Sequence, residues 1–191
     1  MLKDLVLKCR SYRRFYEDVS VDNKTLRELV DLARITASAV NKQPLKYVLS
    51  STKDKNAVIF SCLHWAGTLK TWPGPAEGER PTAYIIILRD GSITERVQVD
   101  HGIAAQTILL GATEKGLGGC MLGAVDKEKL RESLKLPDKY EILLVVALGK
   151  PKEKVILESM KCDDSFDYWR DEQQGHHVPK RQLDDIIVAE Y

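Results

Sequence analysis

Ala83-Tyr84-Ile85-Ile86-Ile87-Leu88 is the stretch on which the fold reading turns. Six consecutive aliphatic or aromatic residues, with no polar residue between them, predict a strand with neither face in water. Such a strand is covered on both sides by helices. Working outward, the full strand reads as Thr82 to Arg89, and Leu45 to Ser50 and Ile142 to Leu148 read as two more buried strands. Gly118 to Val125 is a fourth candidate, short and rich in glycine.

Helices are predicted between these strands. Val21-Asp22 followed by Leu26, Leu29, Val30 and Ala33 reads as a helix, with Asp22 as N-cap and Val21 against Leu26 as a hydrophobic staple. Val125-Asp126 and Leu130 repeat the pattern, in a helix expected to end near Leu136-Pro137. Val97 to Lys115 carries apolar residues nearly all round, which suits a helix at a domain centre or a subunit interface. Alternating strands and helices give an α/β or α+β class. Trp65 to Pro81, with three prolines and three glycines, reads as a surface loop or lid. From Lys150 to Tyr191 the pattern is irregular and polar, with too few apolar residues for a second core. The reading is one domain over 1–191, with 150–191 as an arm that leans on something else.

Composition narrows the function. The 29 Lys plus Arg balance 28 Asp plus Glu, so a net charge of +1 provides no broad field for nucleic acid or a membrane surface. Any anion site must be a local cluster. Cys9, Cys62, Cys120 and Cys162 form no CxxC pair, so neither a metal centre nor a disulfide framework is expected. No apolar run is long enough to span a membrane, and Met1 to Lys8 lacks the apolar region of a secretory signal. The expectation is a cytoplasmic protein.

Four segments carry chemistry. Arg10-Ser11-Tyr12-Arg13-Arg14 could put three guanidiniums and a hydroxyl on one phosphate, although a solvated basic turn between two helices is the commoner explanation of such a segment. Ser38-Ala39-Val40-Asn41-Lys42-Gln43-Pro44 combines small residues with two amides, each both donor and acceptor, as the edge of a planar heterocycle requires. A helix end and turn would have the same composition. Asp100 to Gln106 leads through the central helix to Gly116-Leu117-Gly118 and then to Met121-Leu122-Gly123-Ala124. Those glycines follow a helix and precede a strand, the reverse of a dinucleotide fingerprint, and suit a helix C-cap. Lys180-Arg181 is a basic pair near the chain's end, a common surface feature in itself. His64, His101, His176 and His177 have no helical partner at ligand spacing, and adjacent His176-His177 side chains point apart.

In order and spacing these segments resemble the nitroreductase family. Its members carry an Arg-Arg-Ser-x-Arg stretch, then Pro-Ser-Ala-x-Asn-x-Gln-Pro, an Asp-x-Gly-x-Ala helix leading to Gly-Leu-Gly, and a closing basic residue or pair. The resemblance implies an α+β fold with a central, mostly antiparallel sheet sandwiched by helices. It also implies an intertwined homodimer with two non-covalent FMN sites lined by both subunits. By position, Arg10, Ser11, Arg13 and Lys180 or Arg181 would hold the phosphate and ribityl chain. Ser38, Ala39, Asn41 and Gln43 would lie against the flavin, supplied by the partner. The backbone of Met121, Leu122, Gly123 and Ala124 would pass the ring, with Leu122 and Gly123 near N5, and the arm would wrap the other subunit.

Three departures stand out: Cys9 replaces the first Arg of the pair, Ala37 the usual Pro, and Leu45 a common Trp. The implied activity is hydride transfer from NAD(P)H through FMN to a small acceptor such as a nitroaromatic or quinone, with no titratable side chain essential. A flavin-binding sensor or store of the same fold is the alternative.

Overall fold

The computed structural model describes residues 1–161 and 163–191, so Cys162 lies outside the described residues. The elements are α1 (Leu2–Lys8), β1 (Phe15–Tyr16), α2 (Asn23–Arg34), β2 (Leu45–Ser50), α3 (Lys53–Phe60), β3 (Ala83–Asp90), α4 (Asp100–Glu114), β4 (Gly118–Leu122), α5 (Lys127–Leu134), β5 (Tyr140–Pro151), β6 (Val155–Met160), β7 (Trp169–Arg170) and β8 (His176–Arg181). The main sheet runs β1-β5-β3-β2, with β4 also on β5, and every pairing is antiparallel.

β3 is buried on both faces, as its sequence requires. Ile85 and Ile87 pack with Leu26, Leu29, Ala105 and Ile108 of α2 and α4. Tyr84, Ile86 and Leu88 pack on the opposite face with Ile59 of α3 and Leu130 of α5. Each fully buried isoleucine contributes roughly 1.5–3 kcal/mol.

The caps behave as read. The carboxylates of Asp22 and Asp126 accept from the backbone N–H of Thr25 and Lys129. α4 closes on Gly116 at φ +69°, where the Leu117 N–H reaches the Ala112 carbonyl and the Gly116 N–H that of Thr113. This Schellman turn leads straight into β4. At Gly119 a Cβ would lie 2.3 Å from the Ala147 carbonyl oxygen, so that glycine serves strand packing.

Two expectations need correction and a third is refined. The central helix begins at Asp100, not Val97: residues 97–99 are outside it, and Val99 is its N-cap without a side-chain cap bond. The segment from Trp65 to Pro81 is a surface loop as read, exposed at Gly67, Thr68 and Ala76 to Gly78, but it is anchored: Trp65 is buried, and Arg170 stacks on Trp72 at 4.2 Å. The arm is not irregular. It forms its own sheet, β6-β8-β7, with β6 and β8 parallel and β7 antiparallel to β8. Pro179 fits there because it stands beyond the two residues of β8 that pair with β7.

Candidate functional site

The segment after α1 lies along β4. The Tyr12 N–H donates to the Gly119 carbonyl at 2.9 Å, and Ser11 bridges Gly119 in parallel register. Arg10 folds back to cap α1, donating to the carbonyls of Cys9 (2.6 Å) and Val6 (2.8 Å). The Arg13 N–H is fixed by Glu153 Oε2 at 2.9 Å, and its guanidinium reaches His176 Nε2 at 3.2 Å and stands 4.8 Å from the Tyr168 ring centroid. Arg14 is removed from any phosphate cluster, since Glu79 accepts both its Nε and Nη2 donors at 2.6 Å. Those bonds, with Lys152 at 2.9 Å, hold the Glu79 carboxyl down at about 2. Cys9 is a core residue, 6% exposed, with its sulfur accepting from Gln106.

The second group is built by Asp100. Its buried carboxylate accepts from Ser38 Oγ at 2.5 Å and from the Ala39 N–H at 3.2 Å, and Ser38 Oγ in turn accepts from the Gln43 N–H at 2.9 Å. Within this loop Val40, Asn41 and Gln43 all have left-handed backbones, at φ 52°, 52° and 49°. Such conformations cost on the order of 1–3 kcal/mol each for non-glycine residues, and cluster where a loop is shaped for a ligand. The side chains of Asn41 and Gln43 face solvent. A cavity of about 220 Å³ beside them is lined by Ser38, Gln43 and Tyr47. Burial, reinforced by the charge of Asp100, pushes the Tyr47 hydroxyl up to about 12, so it stays a donor.

The third group follows β4. Met121 is half-buried and Leu122 buried, whereas Gly123 and Ala124 are exposed. A Cβ at Gly123 would meet only Leu144, at 4.0 Å, so the backbone is open to a flat ligand. Lys180 and Arg181 are exposed at the end of β8. His176 opens that strand against Arg13, so Lys180 lies on the order of 13 Å further along it.

The fold thus brings Arg10, Ser11 and Arg13 together with β4. Among the described residues, no hydrogen bond or ion pair joins that group to Ser38–Gln43 or to the Lys180-Arg181 pair within this chain. Taken separately, the guanidiniums and the exposed Ser11 hydroxyl suit a phosphate, the exposed amides of Asn41 and Gln43 the edge of a planar ring, and the open backbone at Gly123 its face. Sequence reasoning missed the roles of Asp100, Glu153 and His176. Asp100 stood at the head of a recognised segment; the other two act across 140 and 163 residues and left no local signal.

The nitroreductase family profile matches residues 6–150. A "Putative NADH dehydrogenase/NAD(P)H nitroreductase" of Archaeoglobus fulgidus is 25% identical over 80% of this chain and 86% of its own length. An FMN-dependent nitroreductase of Clostridium difficile superposes with a TM-score of 0.63 at 25% identity, covering 78% of this chain and 87% of that one. A nitroreductase family protein of Streptococcus pneumoniae covers 100% of both chains with a TM-score of 0.71 at 18% identity, which speaks to the fold alone. The profile spans most of the sequence and the neighbours share its antiparallel sheet between helices: this chain belongs to the nitroreductase family.

Proposed function

We propose that this protein is an FMN-dependent oxidoreductase that takes a hydride from NADH or NADPH and passes it to an oxidised acceptor such as a nitroaromatic or quinone. The observation that carries the reading is the Arg10-Ser11-Arg13 segment bridged to Gly119 near the start of β4, the strand whose other end leads into the exposed Gly123-Ala124 backbone. The names of the relatives supply the donor and the flavin. Bound there, FMN supplies reversible two-electron chemistry. Arg10, Ser11 and Arg13, with Lys180 or Arg181, hold its phosphate and ribityl chain. Ser38 and Ala39, held by Asp100, shape the loop that would lie against the ring, and the exposed amides of Asn41 and Gln43 present donors and acceptors to its edge. Met121 to Ala124 leave room for a hydride donor against one face. No titratable side chain is assigned a proton, and solvent supplies it.

The working unit in this reading is a homodimer. β2 is an edge strand of the main sheet, and a groove of about 1190 Å³ runs between it and α2. The last residues expose Leu183, Ile186, Ile187 and Val188. Each arm is assigned to the other subunit's groove, where its apolar segment would meet Val30, Leu32, Leu45 and Leu49 among the charged residues of the lining. This also lets the partner's Ser38–Gln43 loop complete the site.

The test is the visible spectrum of the purified protein and its bleaching by NADH or NADPH without oxygen. A flavin spectrum that bleaches, in a dimer by light scattering, is the expected result. A bound flavin that never bleaches would leave only a flavin-binding protein, and a colourless monomer that takes up no FMN would overturn the whole reading.

A further inference from the structure

Adjacent histidines on a strand face opposite ways, and those of β8 meet opposite surroundings. His176 is 1% exposed. Its Nε2 lies 3.2 Å from Arg13 Nη1, and a guanidinium can only donate. The ring must therefore offer a lone pair at Nε2 and carry its proton on the buried Nδ1: it is neutral. The His177 side chain is 12% exposed, with Nδ1 2.5 Å from Glu158 Oε1 and Nε2 2.9 Å from Asp171 Oδ2. A neutral imidazole has one N–H, so it can satisfy only one of two carboxylates; both bonds together require the imidazolium. Trp169 stacks on this ring with centroids 4.0 Å apart.

We infer that the two histidines form a positioning pair: neutral His176 orients the Arg13 guanidinium, and cationic His177 clamps β8 to β6 and to the turn after β7. The inference rests on the reading of Arg13 as a flavin ligand for its functional consequence, but the pair itself stands on the geometry. The charged groups facing His176 are Arg13 ahead of β1, Glu153 between β5 and β6 and Arg170 on β7, with His177 next in the chain on the opposite face. Those facing His177 are Glu158 on β6 and Asp171 after β7.

The acid–base behaviour agrees in direction. Burial, and then the cations of Arg13, Arg170 and His177, push His176 down to about 4 against the pull of Glu153. Hydrogen bonds to Asp171 and Glu158 raise His177 above its usual 6.5. The two therefore act at opposite ends of the pH range. The contribution of His176 is whole above 6.5 and is lost as pH falls from there towards 4. That of His177 is whole below 6.5 and is lost as pH rises through its raised value. The arm is held best in a window around 6.5.

The experiment is histidine-labelled NMR titration of the full protein, with hydrogen exchange of β6 and β8 and FMN affinity measured across the same pH range. His177 is expected to titrate above 6.5 and His176 well below it. His177→Gln should speed exchange in β6 and β8 at neutral pH by about tenfold, the scale of one charge-assisted bond. His176→Gln keeps an acceptor that cannot be charged, so it should hold FMN normally at neutral pH and lose the part of the decline in affinity that the unaltered protein shows as pH falls through about 4. His176→Leu should weaken FMN at neutral pH by about tenfold, for the loss of one bond to a charged partner. If that variant does not fold, the His176→Gln profile decides. Two histidines titrating together near 6.5, or a His176→Gln pH profile identical to that of the unaltered protein, would overturn the inference. Absence of any FMN binding would sink the proposed function while leaving the titrations and exchange to judge the pair.

Discussion

In β3 the six residues from Ala83 to Leu88 are all buried and apolar; in β8, of the six from His176 to Arg181, His176 alone is buried. The first strand is fixed by area removed from water, with helices on either face. The second is fixed by directional contacts: a ring between two carboxylates, a guanidinium on an imidazole, and Glu153 joining Arg170 to the backbone of Arg13. Burial of apolar area hardly responds to pH, whereas every one of those contacts changes with protonation or salt. A chain built this way keeps a rigid scaffold and an arm whose grip depends on its surroundings. The family profile ends at residue 150, close to where the one kind of cohesion gives way to the other.

The largest effect should follow from damage to the scaffold. Ile86 is fully buried between Ile59, Leu130 and the sheet, so Ile86→Ala should cost roughly 2–5 kcal/mol. Chemical denaturation should show the loss with little dependence on pH between 5 and 8. A loss that varied steeply with pH would mean that the two regions are not held by different forces.

Glu79→Gln probes the seam between them. Glu79 sits on the 65–81 loop, its side chain 17% exposed, between Arg14 just before β1 and Lys152 just past β5. Its carboxyl is held at about 2 against an ordinary 4.5, so its contribution is present above 4.5 and lost as pH falls towards 2. Substitution should lower stability at neutral pH by roughly 1–3 kcal/mol, between the scales of an exposed and a buried pair. It should also flatten the wild-type decline below pH 4.5. Parallel stability–pH curves for the two proteins would show that Glu79 is not the group responsible.

The scaffold was the legible part of the sequence because its rules are local. β2 was read to the residue, and Asp22 and Asp126 announced their helices. α3 was missed since its apolar residues run consecutively, Ala57-Val58-Ile59-Phe60, with no helical period. The arm's strands were missed for a related reason: His176-His177-Val178-Pro179-Lys180-Arg181 looks like a turn or tail, and only pairing with a distant segment makes it a strand. The site divides in the same way. Arg10, Ser11 and Arg13 were visible as a dense basic cluster, and Asn41 and Gln43 as adjacent amides. Nothing local distinguished Arg13 from Arg14, yet Glu79 takes one and His176 faces the other. Asp100 was visible as a residue but not as the anchor of a loop 61 positions earlier.

The smallest expected effect on stability is the most informative about function. Lys180 and Arg181 are exposed and, among the described residues, make no side-chain hydrogen bond or ion pair. Replacing both by Ala should change folding stability by no more than about 0.5 kcal/mol, as for surface sites without special contacts. Their proposed work is on the FMN phosphate, supplied to one subunit's site or the other's. The double variant should therefore bind FMN about tenfold or more weakly while its affinity for riboflavin, which lacks the phosphate, stays unchanged. The salt dependence of FMN affinity should also become shallower, because two phosphate-facing charges are gone. Equal weakening for FMN and riboflavin would show that the pair acts by shaping the arm. No weakening for either would place the whole phosphate contact on Arg10, Ser11 and Arg13, and leave the arm's end without a part in holding the cofactor.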